Sequence, residues 1–267
     1  MTSALRSEAL AALRDDPAHA AILLDIDGTL APIAAEPSEA RIPAATRQVL
    51  IDVARRYAVV ACVSGRRASE ARAMVSIGTI SYLGSHGAEL LRAGWTEPAL
   101  DPRLDDWARR IQEFGRQVDA ADLRRRRVRL EDKGAIVAFH WRGAGDEEAA
   151  RAAIDAIAAR AESVGFRTHW GRKVLEVRPP VQFDKGAGVA TLLEGTDVQN
   201  ALYAGDDLTD LDAFRAIARL AEEGRIRRAI RVGVRSEEGP EVIITEADLI
   251  VAGPDGVREL LAMLVGD

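Results

Sequence analysis

The chain has 267 residues, of which 48% are hydrophobic and 29% charged, and its formal net charge is −6. This composition is typical of a folded globular protein and excludes a largely disordered chain. The acidic balance also excludes a protein that recruits nucleic acid or an anionic membrane through an overall basic field. The length suits one core domain that carries a smaller inserted module.

The single cysteine, Cys62, lies in the apolar run 59–63, where we expect a buried and inert thiol. One cysteine allows no disulfide within the chain, which suits a reducing compartment, so we expect a cytoplasmic protein. Residues 1–16 are charged and alanine-rich, which predicts no signal peptide. No apolar stretch approaches the roughly 18 residues of a membrane span. No long heptad seam is visible, so a monomer is expected.

The first part of the chain alternates apolar runs with helical patterns. An amphipathic helix is predicted over residues 3–15, and continuous apolar runs predict strands at 20–25, 57–63 and 80–84. Helical periodicity falls between these strands, at 44–56 and at about 68–75. Buried strands that alternate with helices predict a parallel sheet covered by helices on both faces.

The pattern changes near Trp95. Helical patterns occur at 103–118 and 149–164, and the segments that read as strands are now short, with alternating or turn-linked sequences, at 127–132, 136–141 and 173–177. Turn-linked strands with alternation predict an antiparallel sheet. We therefore predict an inserted α+β module at residues 97–181. The run Arg124–Arg127 is expected to be a solvated face of this module, and contact with an anionic ligand is the less favoured alternative.

From Lys185 onward the parallel pattern returns. Helices are predicted at 186–193, 209–217 and 254–264, and strands at 201–204, 229–234 and 248–251. Residues 1–96 and 182–267 together are thus predicted to form an α/β core with a parallel sheet, interrupted by the insert.

The segment Asp25-Ile26-Asp27-Gly28-Thr29-Leu30 directly follows the apolar run 20–24. Two aspartates at i and i+2 of an extended segment point the same way, and such a pair is unfavourable without a divalent cation, a shared proton, or both. A strand followed by an Asp-rich turn is the structural alternative, since Asp, Gly and Thr all favour turns.

Four clusters of polar residues fall near the carboxyl ends of predicted parallel strands, the edge at which open α/β sheets bind ligands. They are Asp25 with Asp27, Ser64-Gly65-Arg66, Lys185, and Asp206 with Asp207. Each cluster alone has a structural explanation as a turn, an exposed lysine or a helix cap. Their combination indicates phosphoryl transfer through an aspartyl phosphate.

The residue types assign the roles in such a reaction. Asp25 is the predicted nucleophile, and Asp27 is placed to act as acid and then as base. Oxygen-only ligands favour Mg²⁺, held by Asp25, Asp206 and the carbonyl of Asp27.

The remaining core residues are predicted to bind or orient the reacting groups. Gly28, Ser64, Gly65 and Lys185 are the expected phosphate ligands. Asp207 and Asp210 are expected to orient metal-bound water or Lys185. His86 is expected to be a loop residue satisfied by backbone, with a ligand role less favoured.

From Ile22 to Phe214 the chain resembles the haloacid-dehalogenase superfamily of Mg²⁺ phosphatases. Finer motifs are similar to the trehalose-6-phosphate phosphatases of that superfamily. These motifs are Asp27-Gly-Thr-Leu-Ala-Pro-Ile, Gly84-Ser-His-Gly-Ala-Glu, Leu175-Glu-Val-Arg-Pro, Asp184-Lys-Gly and Gly205-Asp-Asp-Leu-Thr-Asp.

The resemblance implies a Rossmann-like catalytic core and a C2-type cap formed by the insert. It also implies that Glu131, Lys133 and Glu176 of the cap grip the sugar, and Arg66 is a further expected substrate-binding residue. The alternative for the cap residues is that they are ordinary exposed strand charges. The chain departs from the family pattern in having Leu211 in place of a glutamate and Trp141 in place of a tyrosine.

The resemblance therefore predicts Mg²⁺-dependent hydrolysis of trehalose 6-phosphate. Three alternatives stay open. They are the same chemistry on another phosphorylated disaccharide or pseudo-disaccharide, such as sucrose phosphate or a glycosyl-glycerate phosphate, a non-catalytic sugar-phosphate binder, and a phosphomutase.

Overall fold

A computed structural model describes residues 10–34, 39–118, 120–181, 183–236 and 239–266. The chain divides into two compact units. The first takes the described residues up to Ala99 and from Phe183 on, and the second takes residues 100–181. The predicted division into a catalytic core and a cap, with a cap at 97–181, stays a prediction about functional domains.

The helices and strands are numbered in chain order. The helices are α1 (residues 10–15), α2 (Ala44–Arg56), α3 (Ala68–Val75), α4 (Asp105–Arg116), α5 (Ala120–Arg125), α6 (Glu147–Ser163), α7 (Lys185–Leu193), α8 (Asp210–Glu222), α9 (Glu241–Thr245) and α10 (Gly253–Val265). The strands are β1 (Ala20–Asp25), β2 (Val59–Val63), β3 (Ser81–Gly84), β4 (Glu89–Leu91), β5 (Ala99–Leu100), β6 (Arg129–Asp132), β7 (Val137–His140), β8 (Arg167–Gly171), β9 (Val174–Arg178), β10 (Asn200–Gly205), β11 (Arg228–Arg235) and β12 (Leu249–Ala252).

The first unit is built on an eight-stranded sheet in the order β12-β11-β10-β1-β2-β3-β4-β5. The pairs from β12 through β3 are parallel, and β4 joins β3 antiparallel. All six residues of β1 are buried. Alternate side chains of β1 enter different apolar clusters, with Ile22 and Leu24 on one face of the sheet and Ala21 and Leu23 on the other. Burial on both faces explains the continuous apolar run, and the predicted parallel-sheet core is confirmed.

The second unit is a four-stranded antiparallel sheet in the order β6-β7-β9-β8, packed with helices. Phe139 and Leu175 face an apolar core that includes Ile111 of α4, Leu123 of α5 and Ile154 of α6. The opposite face of the sheet carries polar residues. Glu131 of β6 pairs with Ala138 of β7, which pairs with Glu176 of β9, so these three residues share that face.

The sequence did not predict five elements, β4, β5, α5, β8 and α9. β4 and β5 have three and two residues, and β8 is a mostly exposed edge strand without apolar alternation. Half of the Arg124–Arg127 run lies within α5, whose one buried residue is Leu123, too weak a pattern to mark a helix.

Several predicted boundaries differ from the observed ones by one or two residues, the end of α8 differs by more, and part of one predicted helix is outside the described residues. Helix α8 ends at Glu222 and not at the predicted residue 217, because Leu220 is also buried in the core. Strand β2 begins at Val59, since the Tyr57 N–H instead caps α2 by donating to the Val53 carbonyl. Of the predicted helix over 3–15, residues 10–15 are helical, and residues 3–9 lie outside the described part of the chain.

Cys62 is fully buried in β2, as predicted, and burial raises the pKa of its thiol. Among the helices of the described residues, none combines the length and the apolar character needed to cross a membrane.

Gly84, the last residue of β3, leaves no room for a side chain. A methyl group there would overlap the backbone nitrogen of Ala68 and lie 2.7 Å from its Cα. We expect Gly84→Ala to lower the free energy of unfolding by about 2–3 kcal/mol, since α3 must shift away from β3. Gly78→Ala is the matched control, because nothing lies within 4 Å of a methyl group at that position. Urea denaturation measures both, and equal midpoints for the two variants would contradict the tight packing of β3 on α3.

Candidate active site

The adjacent strands β1 and β10 bring three buried acidic residues together at the carboxyl edge of the parallel sheet. Asp25 ends β1, Asp206 follows β10, and Asp210 is the first residue of α8. Carboxylate oxygens of Asp25, Asp206 and Asp210 lie within 4.8 Å of one another, and all three residues are buried. The predicted convergence of distant residues on one sheet edge is thus present for these groups.

Lys185 supplies the positive charge of this cluster. Its Nζ donates to Oδ1 of Asp25 at 2.6 Å and to Oδ1 of Asp210 at 2.7 Å, and 3% of the residue is exposed. Burial opposes the ammonium charge, but the two carboxylates outweigh it and raise the pKa of Lys185. Lys185 is the first residue of α7 because Asp184 caps that helix, accepting the Ala187 N–H at 2.7 Å.

Asp210 acts as the hub that orients the cluster. Besides Lys185, it accepts the hydroxyl of Tyr203 at 2.7 Å and the backbone N–H groups of Asp206 and Asp207, each at 3.0 Å. Four donors occupy the lone pairs of one carboxylate, so Asp210 is suited to hold Lys185 and poorly suited to bind a metal. Sequence reasoning missed Tyr203, whose only signal is a phenol in an otherwise apolar strand.

The surroundings of the Asp25 and Asp206 carboxyl groups disfavour their negative charge. Burial is the largest cause that raises the pKa of Asp25 well above its usual range, and Lys185 opposes this shift. Burial and the Asp210 charge raise the pKa of Asp206 to about 7, although Thr29 donates its hydroxyl to Asp206 at 3.1 Å. Three buried carboxylates against one ammonium leave an excess of negative charge, which a divalent cation or protons must offset.

The donor set of this cluster fits a hard cation. Carboxylate oxygens of Asp25 and Asp206, with the backbone carbonyl of Asp27, could hold Mg²⁺, and the cluster contains no nitrogen or sulfur ligand. Gly28 leaves space for the Asp206 carboxylate. Its backbone is left-handed, with φ +89°, and a methyl group there would lie 2.6 Å from Oδ1 of Asp206. The predicted role of Gly28 in phosphate binding stays a prediction.

Asp27 forms an ion pair that the sequence did not predict. The guanidinium of Arg66 donates from Nε to Oδ2 at 2.7 Å and from Nη2 to Oδ1 at 2.6 Å. The Asp27 side chain is 38% exposed, in contrast to the buried Asp25. The predicted acid–base residue and the predicted substrate-binding arginine are therefore direct partners.

The predicted phosphate seat is organised by its own backbone. Ser64 is buried, and its hydroxyl accepts the Arg66 N–H at 3.1 Å.

Asp207 is exposed, and its carboxylate accepts the Leu208 N–H at 2.6 Å within a local turn. The orienting role predicted for Asp207 stays a prediction.

The second unit holds a separate polar cluster on the face of its sheet opposite the apolar core. Lys133 donates to Oε1 of Glu176 at 3.0 Å, Arg178 donates from Nε to Oε2 of Glu176 at 2.9 Å, and His140 contacts Oε2 of Glu131 at 2.6 Å. The hydrogen bond with His140 lowers the pKa of Glu131. The Glu176 side chain is only 8% exposed, so it is not an ordinary exposed strand charge.

The two departures from the family pattern lie in apolar surroundings. Leu211 is buried in the cluster that contains Phe214, and Trp141 is buried with its ring edge-to-face against Trp170 at 6.0 Å between centroids.

The comparisons with known proteins agree with this geometry. The family model described as trehalose-phosphatase matches residues 23–242, about four fifths of the chain. A probable trehalose-phosphate phosphatase of Oryza sativa subsp. japonica is 28% identical over 257 residues, and the match covers 91% of the chain and 65% of that protein. The chain thus spans less than two thirds of this relative's length.

Solved structures give the same result for the fold. A trehalose-6-phosphate phosphatase related protein is 25% identical with a TM-score of 0.69, covering 92% of the chain and 96% of that structure. A haloacid dehalogenase-like hydrolase from Bacteroides thetaiotaomicron, 16% identical, has a TM-score of 0.59 over 91% of the chain and 98% of that structure. The chain therefore has the haloacid-dehalogenase-like fold and belongs to the trehalose-phosphatase family.

Proposed function

We propose that the chain is a Mg²⁺-dependent phosphatase that hydrolyses trehalose 6-phosphate to trehalose and phosphate through an aspartyl phosphate. The observation that carries this proposal is the buried Asp25–Lys185–Asp210 arrangement beside Asp206, in a chain of the trehalose-phosphatase family. A carboxylate fixed by a permanent cation at a strand end is suited to attack phosphorus.

The first step transfers the phosphoryl group to Asp25. An Asp25 oxygen bonds to phosphorus as the phosphorus–oxygen bond to the sugar breaks, and Asp27 gives its proton to the departing sugar oxygen. Lys185 offsets the charge of the transferring phosphoryl group. When bound, Mg²⁺ screens the negative charges of the phosphate and the carboxylates. Water then attacks the phosphorus of the aspartyl phosphate, the bond between phosphorus and the Asp25 oxygen breaks to release phosphate, and Asp27 takes the proton that the water loses.

Arg66 takes part in this proton cycle through its pair with Asp27. A carboxyl that carries a proton cannot accept both guanidinium N–H groups as it does in the ionised form. The bidentate pair must therefore loosen when Asp27 carries the proton that it donates.

The second unit supplies groups that suit a sugar. Glu131, Lys133 and Glu176 offer both hydrogen-bond donors and acceptors on one sheet face, which can satisfy sugar hydroxyls that an apolar wall would leave unpaired. The intact nucleophile and its lysine argue against a pure binding protein. Another phosphorylated disaccharide and a phosphomutase reaction are the outcomes that the experiment below separates. Cytoplasmic location and a monomeric state stay predictions.

The substrate and the covalent mechanism are tested together by phosphate release from a panel of sugar phosphates, with Mg²⁺ and with EDTA. We expect trehalose 6-phosphate to give the highest kcat/KM and EDTA to abolish turnover. Asp25→Asn should lower kcat at least about a thousandfold, because the nucleophile is lost. A better substrate among the other esters would correct the sugar, and near-full turnover of Asp25→Asn would exclude the covalent route.

Mg²⁺ binding is tested by thermal unfolding, independently of turnover. Because the pKa of Asp206 is raised to about 7, the metal must displace a proton at pH 6 but not at pH 8. We expect Mg²⁺ to raise Tm more at pH 8. Without metal, the raised pKa has the opposite effect, and stability falls as pH rises through about 7. Asp206→Asn should remove most of the Mg²⁺ effect, and equal stabilisation at both pH values would contradict this ligand set.

Sugar recognition is tested with Glu176→Gln. We expect KM for trehalose 6-phosphate to rise about tenfold or more, since one neutral amide replaces the acceptor of two cations, while hydrolysis of p-nitrophenyl phosphate changes less than about twofold. Glu147→Gln is the matched control, because it breaks an exposed glutamate–lysine pair with Lys173 in the same unit. Equal losses on both substrates would refute a sugar-binding role for Glu176.

A further inference from the structure

The turn that follows β3 has an unfavourable backbone. Ser85, His86 and Gly87 are three consecutive left-handed residues, with φ of 50°, 57° and 95°. The first two carry side chains, and residues with a Cβ atom adopt this conformation at an energetic cost. Such a turn persists only where the surrounding structure holds it.

Two neighbouring segments hold the turn in place. On one side, the Ser85 N–H donates to the Arg66 carbonyl at 2.7 Å and the His86 N–H donates to the Ser64 carbonyl at 3.1 Å. On the other side, a methyl group on Gly87 would overlap the Asp184 carbonyl oxygen. The turn is thus wedged between the Ser64-Gly65-Arg66 loop and the residue that precedes Lys185.

The His86 ring lies directly against Gly65. A methyl group built on Gly65 would lie 2.7 Å from Cε1 and 2.8 Å from Nε2 of His86. The imidazole therefore occupies the space that any side chain at position 65 would need. The ring packs on Gly65, whose N–H is expected to donate to a phosphate oxygen.

Two other left-handed residues with side chains have simpler explanations. Ser76, with φ 60°, ends helix α3 at its C-cap and is exposed. Lys173, with φ 60°, lies in the tight turn between β8 and β9. His86 instead lies between two loops that carry site residues, where stored strain is associated with function.

Given the proposed phosphatase function, we propose that His86 is a positioning residue that fixes the phosphate-binding loop. Its imidazole packs on Gly65, and its backbone N–H holds the Ser64 carbonyl. Together these contacts set the direction of the Ser64 hydroxyl and the Gly65 N–H toward the phosphate group. His86 acts through these two residues and takes no part in the proton transfers.

The test separates strain from function with His86→Gly. Glycine relieves the left-handed strain, so Tm should stay equal or rise, as it should in the control Ser76→Gly. We expect His86→Gly to weaken binding of inorganic phosphate in the presence of Mg²⁺ about tenfold or more by calorimetry, and to raise KM more than it lowers kcat. Ser76→Gly should change both by less than about twofold. Wild-type phosphate affinity in His86→Gly would overturn the proposal.

A double-mutant cycle tests the contact between His86 and Gly65, and its Gly65→Ala single variant keeps the His86 side chain. Gly65→Ala alone should clash with the imidazole and weaken phosphate binding. In the His86→Gly background the three atoms nearest to that methyl group, all in the imidazole, are gone, so the same substitution should cost less. Additive effects would overturn the proposed contact.

The phosphate readout also distinguishes this proposal from the function on which it rests. If the wild-type protein binds inorganic phosphate but does not hydrolyse trehalose 6-phosphate, the proposed substrate fails. A loss of phosphate affinity in His86→Gly would then still support the positioning role.

Discussion

The buried contact between Lys185 and Asp25 is the interaction on which the site depends. A lysine that is 3% exposed keeps its charge only because Asp25 and Asp210 surround its ammonium group. Removing one partner of such a buried pair leaves an uncompensated charge, typically at a cost of about 3–5 kcal/mol. The same contact joins the end of β1 to the start of α7 and fixes the position of one element against the other. The geometry of Asp25, the proposed nucleophile, and the stability of the core therefore depend on the same contact.

The scaffold supports this costly arrangement by burial on every side. Strand β1 is buried along its whole length, and parallel neighbours on both sides fix its register, with Leu24 opposite Ala204 and Cys62. Asp210 is fixed in turn by the phenol of Tyr203, which is edge-to-face with Phe214 at 6.0 Å. A rigid, apolar support of this kind keeps carboxyl groups buried, with raised pKa values, and keeps left-handed turns in place. A looser fold would let both relax to more favourable arrangements.

The sequence predicted the positions of the site better than its contacts. Asp25 and Asp206 could be placed together because parallel strands end at one edge of a sheet, a rule that needs no side-chain geometry. Lys185 was expected at such a strand end, but it begins α7 and follows β9 of the antiparallel sheet. The pairing of Arg66 with Asp27 and the Tyr203–Asp210 hydrogen bond could not be predicted, since both depend on rotamers and packing. His86 was expected to be a loop residue, because a left-handed backbone at a histidine leaves no trace in sequence periodicity. Strand β8 was missed for a related reason, as its exposed edge lacks the alternation that marks a half-buried strand.

The two polar clusters differ in charge balance, and this difference suits them to different proposed ligands. In the first unit, three buried carboxylates face one ammonium, so the surplus negative charge calls for a cation. In the second unit, Glu176 has two cationic partners, Lys133 and Arg178, and Glu131 lies near His140 and Arg129. Two carboxylates that face three cations and a histidine have little attraction for a metal ion, but the cluster can exchange internal hydrogen bonds for those of a neutral, hydroxyl-rich ligand at small net cost. The proposed reaction and the proposed sugar preference thus rest on separate sets of residues, so we expect mutation to change one without the other.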